Sequence, residues 1–217
     1  MVKSRILIAD DHSIVLAGLC KLVEADGEGE VVGTVEDGRA LVEEAQKLRP
    51  DIVLLDISMP LLNGLDAARQ IRKLVPECKL IMLTMHATPT YAAEAFKAGV
   101  SGYLIKRSAA SELKQAIQAV RQGQHYMTPL ITKDVLESAL HPSEGAARKR
   151  PPSTLTSRQR EVLQLVAEGK GTKEIASLLN ISVKTVEFHK FRIMDELNLH
   201  STAELTKYAI AEGLVSL

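Results

Sequence analysis

Over its first ~120 residues the chain alternates short apolar runs with segments whose apolar residues recur at three- and four-residue spacing, and it does so five times. The runs are Ile6–Ala9, Val31–Val35, Ile52–Leu55, Leu80–Leu83 and Gly102–Ile105. Between and after them lie Ile14-Val15-Leu19-Leu22-Val23, Ala40-Leu41-Glu44-Ala45-Leu48, Ala67-Ala68-Ile71-Leu74-Val75, Tyr91-Ala95-Phe96 and Leu113-Ile117-Val120. Near-continuous apolar strands separated by amphipathic helices are the pattern of a parallel sheet covered on both faces. Pro50 and Pro76 stop helices, and Gly99 and Gly123 stand where helices should end. The fold class that follows is an α/β domain with a five-stranded, doubly wound parallel sheet of flavodoxin-like type.

The residues at the strand ends carry the chemistry. Asp10 and Asp11 follow the first strand, Asp56 follows Leu55, Thr84 follows Leu83 and Lys106 follows Ile105. In an open parallel sheet these ends face one crevice, where ligands bind. Three carboxylates gathered there need a cation, and hard oxygen donors favour Mg2+. Asp11 and Asp56 are the expected direct ligands. Asp10 acts through a water, and the backbone carbonyl of Ser58 completes the protein's share. A carboxylate can attack a phosphoryl group, and catalysis of that transfer is mostly positioning plus cations. Asp56 is the expected nucleophile, Lys106 a source of positive charge and Thr84 a hydroxyl for a phosphoryl oxygen. Met59-Pro60 and Asn63-Gly64 put a tight turn right after Asp56 and keep it accessible. Taken singly, each of these residues reads as a turn, cap or surface residue; their convergence at one switch point favours a site.

From His141 to Thr154 apolar periodicity is absent, and Pro151-Pro152 closes what reads as a flexible linker, preceded by a further helix over Lys133–Leu140. The rest is helical. Thr156 or Ser157 caps a helix running to Glu168, with Glu161 near its first turn and Gly169 after its last. Helices then follow over Thr172–Leu179, Val183–Leu197 and Thr202–Glu212. Asn180-Ile181-Ser182 is a tight turn with Ser182 as the next N-cap, which makes a helix-turn-helix whose second helix suits a major groove. Val186, Ile193, Met194 and Leu197 are spaced to face the core. Lys184, Glu187, Phe188, Lys190 and Phe191 are left for the outside or its borders. Lys184, Lys190 and Arg192 suit phosphates or base edges, and the exposed aromatics suit thymine methyls or a partner surface. The domain boundaries implied are residues 1–123, 124–153 and 154–217.

Composition narrows the classes. Of 217 residues, 46% are hydrophobic and the formal net charge is zero, so charge alone does not imply a nucleic-acid partner. No apolar run approaches membrane-spanning length, and Met1-Val2-Lys3-Ser4-Arg5 leads directly into a strand rather than a secretory signal. Cys20 and Cys78 lack Cys-x-x-Cys spacing and read as small core residues of a protein in a reducing compartment.

Ile8-Ala9-Asp10-Asp11-His12, Leu55-Asp56-Ile57-Ser58-Met59-Pro60, Leu83-Thr84-Met85-His86 and Gly102-Tyr103-Leu104-Ile105-Lys106 resemble the receiver domain of two-component response regulators, over about Lys3–Gln122. Leu155-Thr156, Arg160-Glu161-Val162-Leu163, Lys173-Glu174-Ile175-Ala176 and Lys184-Thr185-Val186-Glu187-Phe188-His189 resemble the LuxR-type DNA-binding domain, over about Thr154–Leu214. Together the chain resembles the NarL/FixJ family. That resemblance implies that Asp56 accepts phosphate from a sensor histidine kinase with Mg2+, that the receiver catalyses its own phosphorylation without being a turnover enzyme, and that Thr84 and Tyr103 move on phosphorylation. It also implies a cytoplasmic homodimer on double-stranded DNA. The DNA-facing positions correspond to Lys184, Thr185, Phe188, His189 and Arg192, and Lys207 and Tyr208 of the last helix are candidates for pairing two copies. The loop Ala87-Thr88-Pro89-Thr90 lacks the acidic residues many relatives carry there. Two rival readings are a haloacid-dehalogenase-like phosphatase, which needs a second aspartate where Ser58 stands, and a receiver whose helices bind protein rather than DNA.

Overall fold

The computed structural model describes residues 3–25, 27, 29–85, 89–132 and 155–215, which fall into two compact units. The first unit runs β1 (Ser4–Ala9), α1 (Ser13–Ala25), β2 (Gly29–Val35), α2 (Gly38–Leu48), β3 (Ile52–Asp56), α3 (Gly64–Leu74), β4 (Lys79–Thr84), α4 (Pro89–Lys97), β5 (Gly102–Ile105), α5 (Ala109–Arg121) and β6 (Tyr126–Met127). The strand order is β2-β1-β3-β4-β5-β6, and every pairing is parallel. The chain moves from β1 outward to β2, then returns past β1 to β3. The reversal of strand order, and with it the crevice, therefore lies between β1 and β3.

The pleat divides the buried strand residues between two layers. Ile6, Ile8, Ile52, Leu54, Ile81, Leu83 and Leu104 face α1 and α5. Their sequence neighbours Leu7, Val53, Leu55, Leu80 and Met82 are equally buried, so both faces of the sheet are covered. Helix ends are fixed locally. The Asp37 carboxylate accepts from the backbone N–H groups of Arg39 and Ala40, both at 2.8 Å. Gly99 and Gly123 close α4 and α5 at φ 91° and 78°, a conformation that glycine adopts without a Cβ penalty.

Two features depart from the sequence expectation. Ile14 is 86% exposed. The buried residues of α1 are Leu16, Leu19 and Val23, and at 100° per residue Ile14 lies about 160° round the helix from Leu16. The sheet also has a sixth strand. Tyr126 and Met127 pair in parallel with Gly102 and Tyr103, so the α/β unit continues past residue 123. The Thr128 N–H then donates to the Tyr103 carbonyl at 3.0 Å, and the fully buried Thr128 hydroxyl accepts from the Ile105 N–H at 3.2 Å. Residues 129–132 are helical. The helix expected over Lys133–Leu140, the linker to Thr154 and the loop residues His86, Ala87 and Thr88 lie outside the described residues.

The second unit is α6 (Ser157–Ala167), α7 (Thr172–Leu179), α8 (Val183–Leu197) and α9 (Thr202–Ala211). Its core gathers Val162, Leu163, Leu165, Ile175, Leu179, Val186, Ile193 and Leu205. Thr156 is the cap of α6, and its capping-box partner is Gln159, whose side chain accepts from the Thr156 N–H at 2.7 Å. Glu161, the acidic residue expected near this helix start, instead pairs with Arg158 at 2.7 Å.

Candidate functional site: an acidic crevice and a helix-turn-helix

Asp10 directly follows β1, Asp56 is the last residue of β3, Thr84 the last of β4, and Lys106 directly follows β5. Parallel pairing of β1 with β3, β3 with β4 and β4 with β5 brings all four to one end of the sheet. The Lys106 ammonium bridges the two buried carboxylates, at 2.7 Å from Asp10 Oδ2 and 2.9 Å from Asp56 Oδ2. Asp56 Oδ1 accepts from the Ile57 N–H at 2.8 Å. Asp11 sits at the rim. His12 Nδ1 lies 2.8 Å from Asp11 Oδ1 and 3.3 Å from Asp10 Oδ1, and the His12 N–H donates to Asp10 Oδ1 at 3.0 Å. Ser58, two residues past Asp56, is half-buried in the loop before α3.

The electrostatics follow from this crowding. Burial raises the Asp56 carboxyl above its usual range and the Asp10 charge adds to that rise, while the Lys106 ammonium and the Ile57 N–H pull it back. Burial alone draws Lys106 down, but its bonds to Asp10 and Asp56 outweigh that, and the ammonium is held more firmly than usual. Asp10 and Asp56 share a single lysine while Asp11 stands at the rim beside His12, which leaves negative charge for a further cation to balance. Asp10 Oδ2 meets the Lys106 ammonium and no other donor among the described residues. Oxygen donors with excess negative charge fit a hard divalent ion such as Mg2+. Asp10, Asp11 and His12 bring their potential ligand atoms within 4.8 Å of one another at this end of the sheet.

Gly64 explains how Asp56 is presented. Its N–H donates to the Ile57 carbonyl at 2.8 Å, and a Cβ built there would lie 1.9 Å from the Asp56 carbonyl oxygen. The start of α3 therefore rests directly on the backbone of Asp56, with Asn63 as the helix cap accepting from the Asp66 N–H at 2.9 Å. The Asn63-Gly64 pair was legible as a turn; this close approach was not.

Thr84 and Tyr103 are both fully buried, and their side chains share a hydrogen bond. Tyr103 pairs with Met82, so Thr84 is its diagonal neighbour on the same face of the sheet. Burial raises the phenol well above its ordinary value, against the bond to Thr84. Tyr103, one of the two residues expected to move on phosphorylation, is thus held inside the fold in this structure.

In the second unit, Asn180 turns the chain at φ 51°, and the Ser182 hydroxyl caps α8 by accepting from the Thr185 N–H at 3.1 Å. Lys184, Phe188 and Arg192 are exposed on α8, and Thr185 is half-buried with its hydroxyl 2.8 Å from that of Ser182. His189 follows one turn after Thr185. It is half-buried, edge-on to Phe188 at 5.9 Å, and burial followed by the Arg158 charge lowers its pKa. Lys190 leans away, donating to Thr202 Oγ1 at 2.9 Å.

The fold and crevice define a doubly wound domain with an acidic, lysine-bridged site at its switch point, followed by a helix-turn-helix domain. Residues 6–118 match the family model of the response regulator receiver domain, and residues 153–209 that of the bacterial regulatory proteins, luxR family. The oxygen regulatory protein NreC of Staphylococcus epidermidis is 37% identical over 215 residues, covering 97% of this chain and 99% of that protein. The response regulator UvrY of Escherichia coli K12 is 34% identical over 209 residues, covering 96% and 94%. Among solved structures, RcsB of Salmonella typhimurium aligns with a TM-score of 0.60 at 29% identity over 97% of this chain and 100% of that one. A complex of RcsB with DNA aligns at 0.59 and 28% identity, over 95% and 98%. The chain belongs to the two-component response regulators with a LuxR-type DNA-binding domain. This membership sets aside the phosphatase reading.

Proposed function

We propose that this response regulator is controlled by phosphorylation of Asp56 from a sensor histidine kinase and that the phosphorylated form binds promoter DNA as a homodimer. The observation that carries the proposal is the Asp56 carboxylate held against Lys106 beside Asp10 at the open end of the sheet. An Asp56 carboxylate oxygen attacks the phosphorus, the phosphorus–nitrogen bond to the kinase histidine breaks, and the departing nitrogen keeps the electron pair. The product is an acyl phosphate on Asp56. Asp10, Asp11, Asp56 and the Ser58 carbonyl would hold Mg2+, which when bound supplies the positive charge that neutralises the phosphoryl oxygens. Lys106, already 2.9 Å from Asp56, lends a second cation to the same oxygens. The self-catalysed transfer uses these residues once per phosphorylation, so the protein is a regulator rather than a turnover enzyme.

The signal passes through Thr84. Its hydroxyl is shared with Tyr103, and a phosphoryl group on Asp56 competes for it. Losing that bond changes the hold on Tyr103 and biases a bistable surface between α4 and β5. In α8, Lys184, Thr185, Phe188 and Arg192 are the proposed DNA contacts. His189, expected at the same interface, is assigned a supporting place behind Phe188. Two modest DNA-binding domains gain affinity once joined, because the second contact becomes intramolecular; RcsB, solved as dimers on DNA, supports this arrangement. Among the described residues no helix is long and apolar enough to cross a membrane, and we place the protein in the cytoplasm with its kinase partner and DNA. The test is a duplex-DNA titration at fixed salt with and without a small-molecule phosphodonor and Mg2+. Wild type is expected to bind more tightly after phosphorylation and Asp56→Asn to be unresponsive; identical curves for the two proteins refute phosphate control.

A further inference from the structure

The chain has no tryptophan and only three phenylalanines, and two of the three stand in the open on α8. Phe188 is 59% and Phe191 67% exposed. The residues that anchor this helix in the core are Val186 and Ile193. At 100° per residue, Phe188 and Phe191 fall about 30° on either side of the direction pointing straight away from them. The rings are thus neighbours at i,i+3 on the outermost face of the helix. An isolated domain gains nothing by holding two aromatic rings in water, so the pair marks a contact surface.

The surroundings choose the occupant. Lys184 lies one turn before Phe188 on the same face, and Arg192 follows Phe191. Both are exposed, and neither has an ion-pair partner among the described residues. An apolar protein partner would have to cover these two cations without answering their charge. The major groove of DNA offers the right combination, phosphates at its walls and the C5-methyl group of thymine on its floor. A phenyl ring has no hydrogen-bonding atom, so it can only read shape and methyl groups. Asp195, one turn beyond Arg192, repels phosphate and ends the footprint there, and Glu187 does the same along its flank. The edge contact of His189 with Phe188 at 5.9 Å limits the freedom of that ring.

We propose that Phe188 and Phe191 read sequence by seating on thymine methyl groups in the major groove. Cβ atoms at i,i+3 on a helix stand about 5–6 Å apart, which spans one to two base steps of about 3.4 Å, so the preferred thymines are adjacent or next but one. The inference rests on the DNA-binding reading of α8 and deepens it from a groove-entering helix to a stated base preference.

The experiment uses the full chain activated with Mg2+ and beryllofluoride. Duplexes selected from a random-sequence library are remade with deoxyuridine in place of thymidine, which removes the methyl groups and leaves every base pair intact. Wild type is expected to lose about fourfold in affinity for each covered methyl. Phe188→Ala and Phe191→Ala are each expected to lose part of the thymine–uracil difference, and the double variant all of it. The slope of affinity against salt should stay unchanged, because neither ring meets a phosphate, and thermal unfolding should stay unchanged because both rings are exposed. Phe191→Leu keeps an apolar contact and should keep part of the preference. Equal wild-type affinity for both duplexes, with salt-dependent binding intact, overturns the methyl reading alone. Absence of any salt-dependent duplex binding overturns the DNA assignment of this helix and the proposal with it.

Discussion

Gly64→Ala isolates the contact that presents Asp56. The added Cβ would lie 1.9 Å from the Asp56 carbonyl oxygen, 2.9 Å from its carbonyl carbon and 3.0 Å from Ile57 Cα, all backbone atoms that cannot swing aside. Real Cβ atoms essentially never come closer than 3.0 Å, so the start of α3 must move back by about 1.1 Å. That movement stretches the 2.8 Å bond from the Gly64 N–H to the Ile57 carbonyl. Overpacking costs about 1–3 kcal/mol and a weakened hydrogen bond about 1 kcal/mol, which together lower the melting temperature of the first unit by roughly 10 °C. The loss in chemistry should be larger. A displacement near 1 Å at the nucleophile costs about 100-fold in rate. The assay is the initial rate of Asp56 phosphorylation from phosphoramidate and Mg2+, followed by intact mass because the chain lacks tryptophan, with calorimetry on the same samples. Gly18→Ala is the control. Its Cβ meets nothing within 4 Å, and replacing a mid-helix glycine should stabilise by about 0.5–1 kcal/mol with no effect on rate. A Gly64→Ala protein that takes up phosphate at the wild-type rate refutes the idea that this contact positions Asp56.

Lys106→Met removes the ammonium between Asp10 and Asp56, so phosphorylation should slow by about 100-fold or more; a rate within a few-fold of wild type contradicts the assigned role. Thr128→Val keeps the shape of the side chain but leaves the Ile105 N–H without its acceptor. It should cost about 1–3 kcal/mol by chemical denaturation, and an unchanged denaturation midpoint argues against a structural role for β6 and its flank. His189 gives a pH signature. Burial and Arg158 hold its folded pKa below the unfolded value, so the folded state disfavours the protonated ring. Stability is full above the unfolded pKa near 6.5 and falls as pH drops below it through the folded value. Thermal unfolding of wild type and His189→Gln between pH 7.5 and pH 5 should converge toward acid, and parallel curves refute the assignment.

The amino-acid sequence is sufficient where structure is decided within one element. Apolar runs separated by helical periodicity dictate the parallel sheet, because each strand must be buried on both sides. The residues that follow the runs are carried to one end by parallel pairing, so Asp10, Asp56, Thr84 and Lys106 could be assigned together before any distance was known. The Ser182 cap and the Asn180 turn are equally local, since a cap acts over three residues. Recognition of Lys184, Phe188 and Arg192 as outward residues needs only the helical period.

Tertiary structure decided what depends on atoms far apart in the chain. Lys106 bridges Asp10 and Asp56 directly rather than waiting for a ligand, because two buried carboxylates must be neutralised even in the resting protein. Thr84 and Tyr103 share a bond only because β4 and β5 are adjacent in that register. The two residues of β6 have no period to detect, and their strand exists because the exposed edge of β5 has N–H and C=O groups to satisfy. Ile14, read as core, faces outward because a helix buries only the stripe that meets the sheet, and spacing alone does not say which apolar residue lies on it.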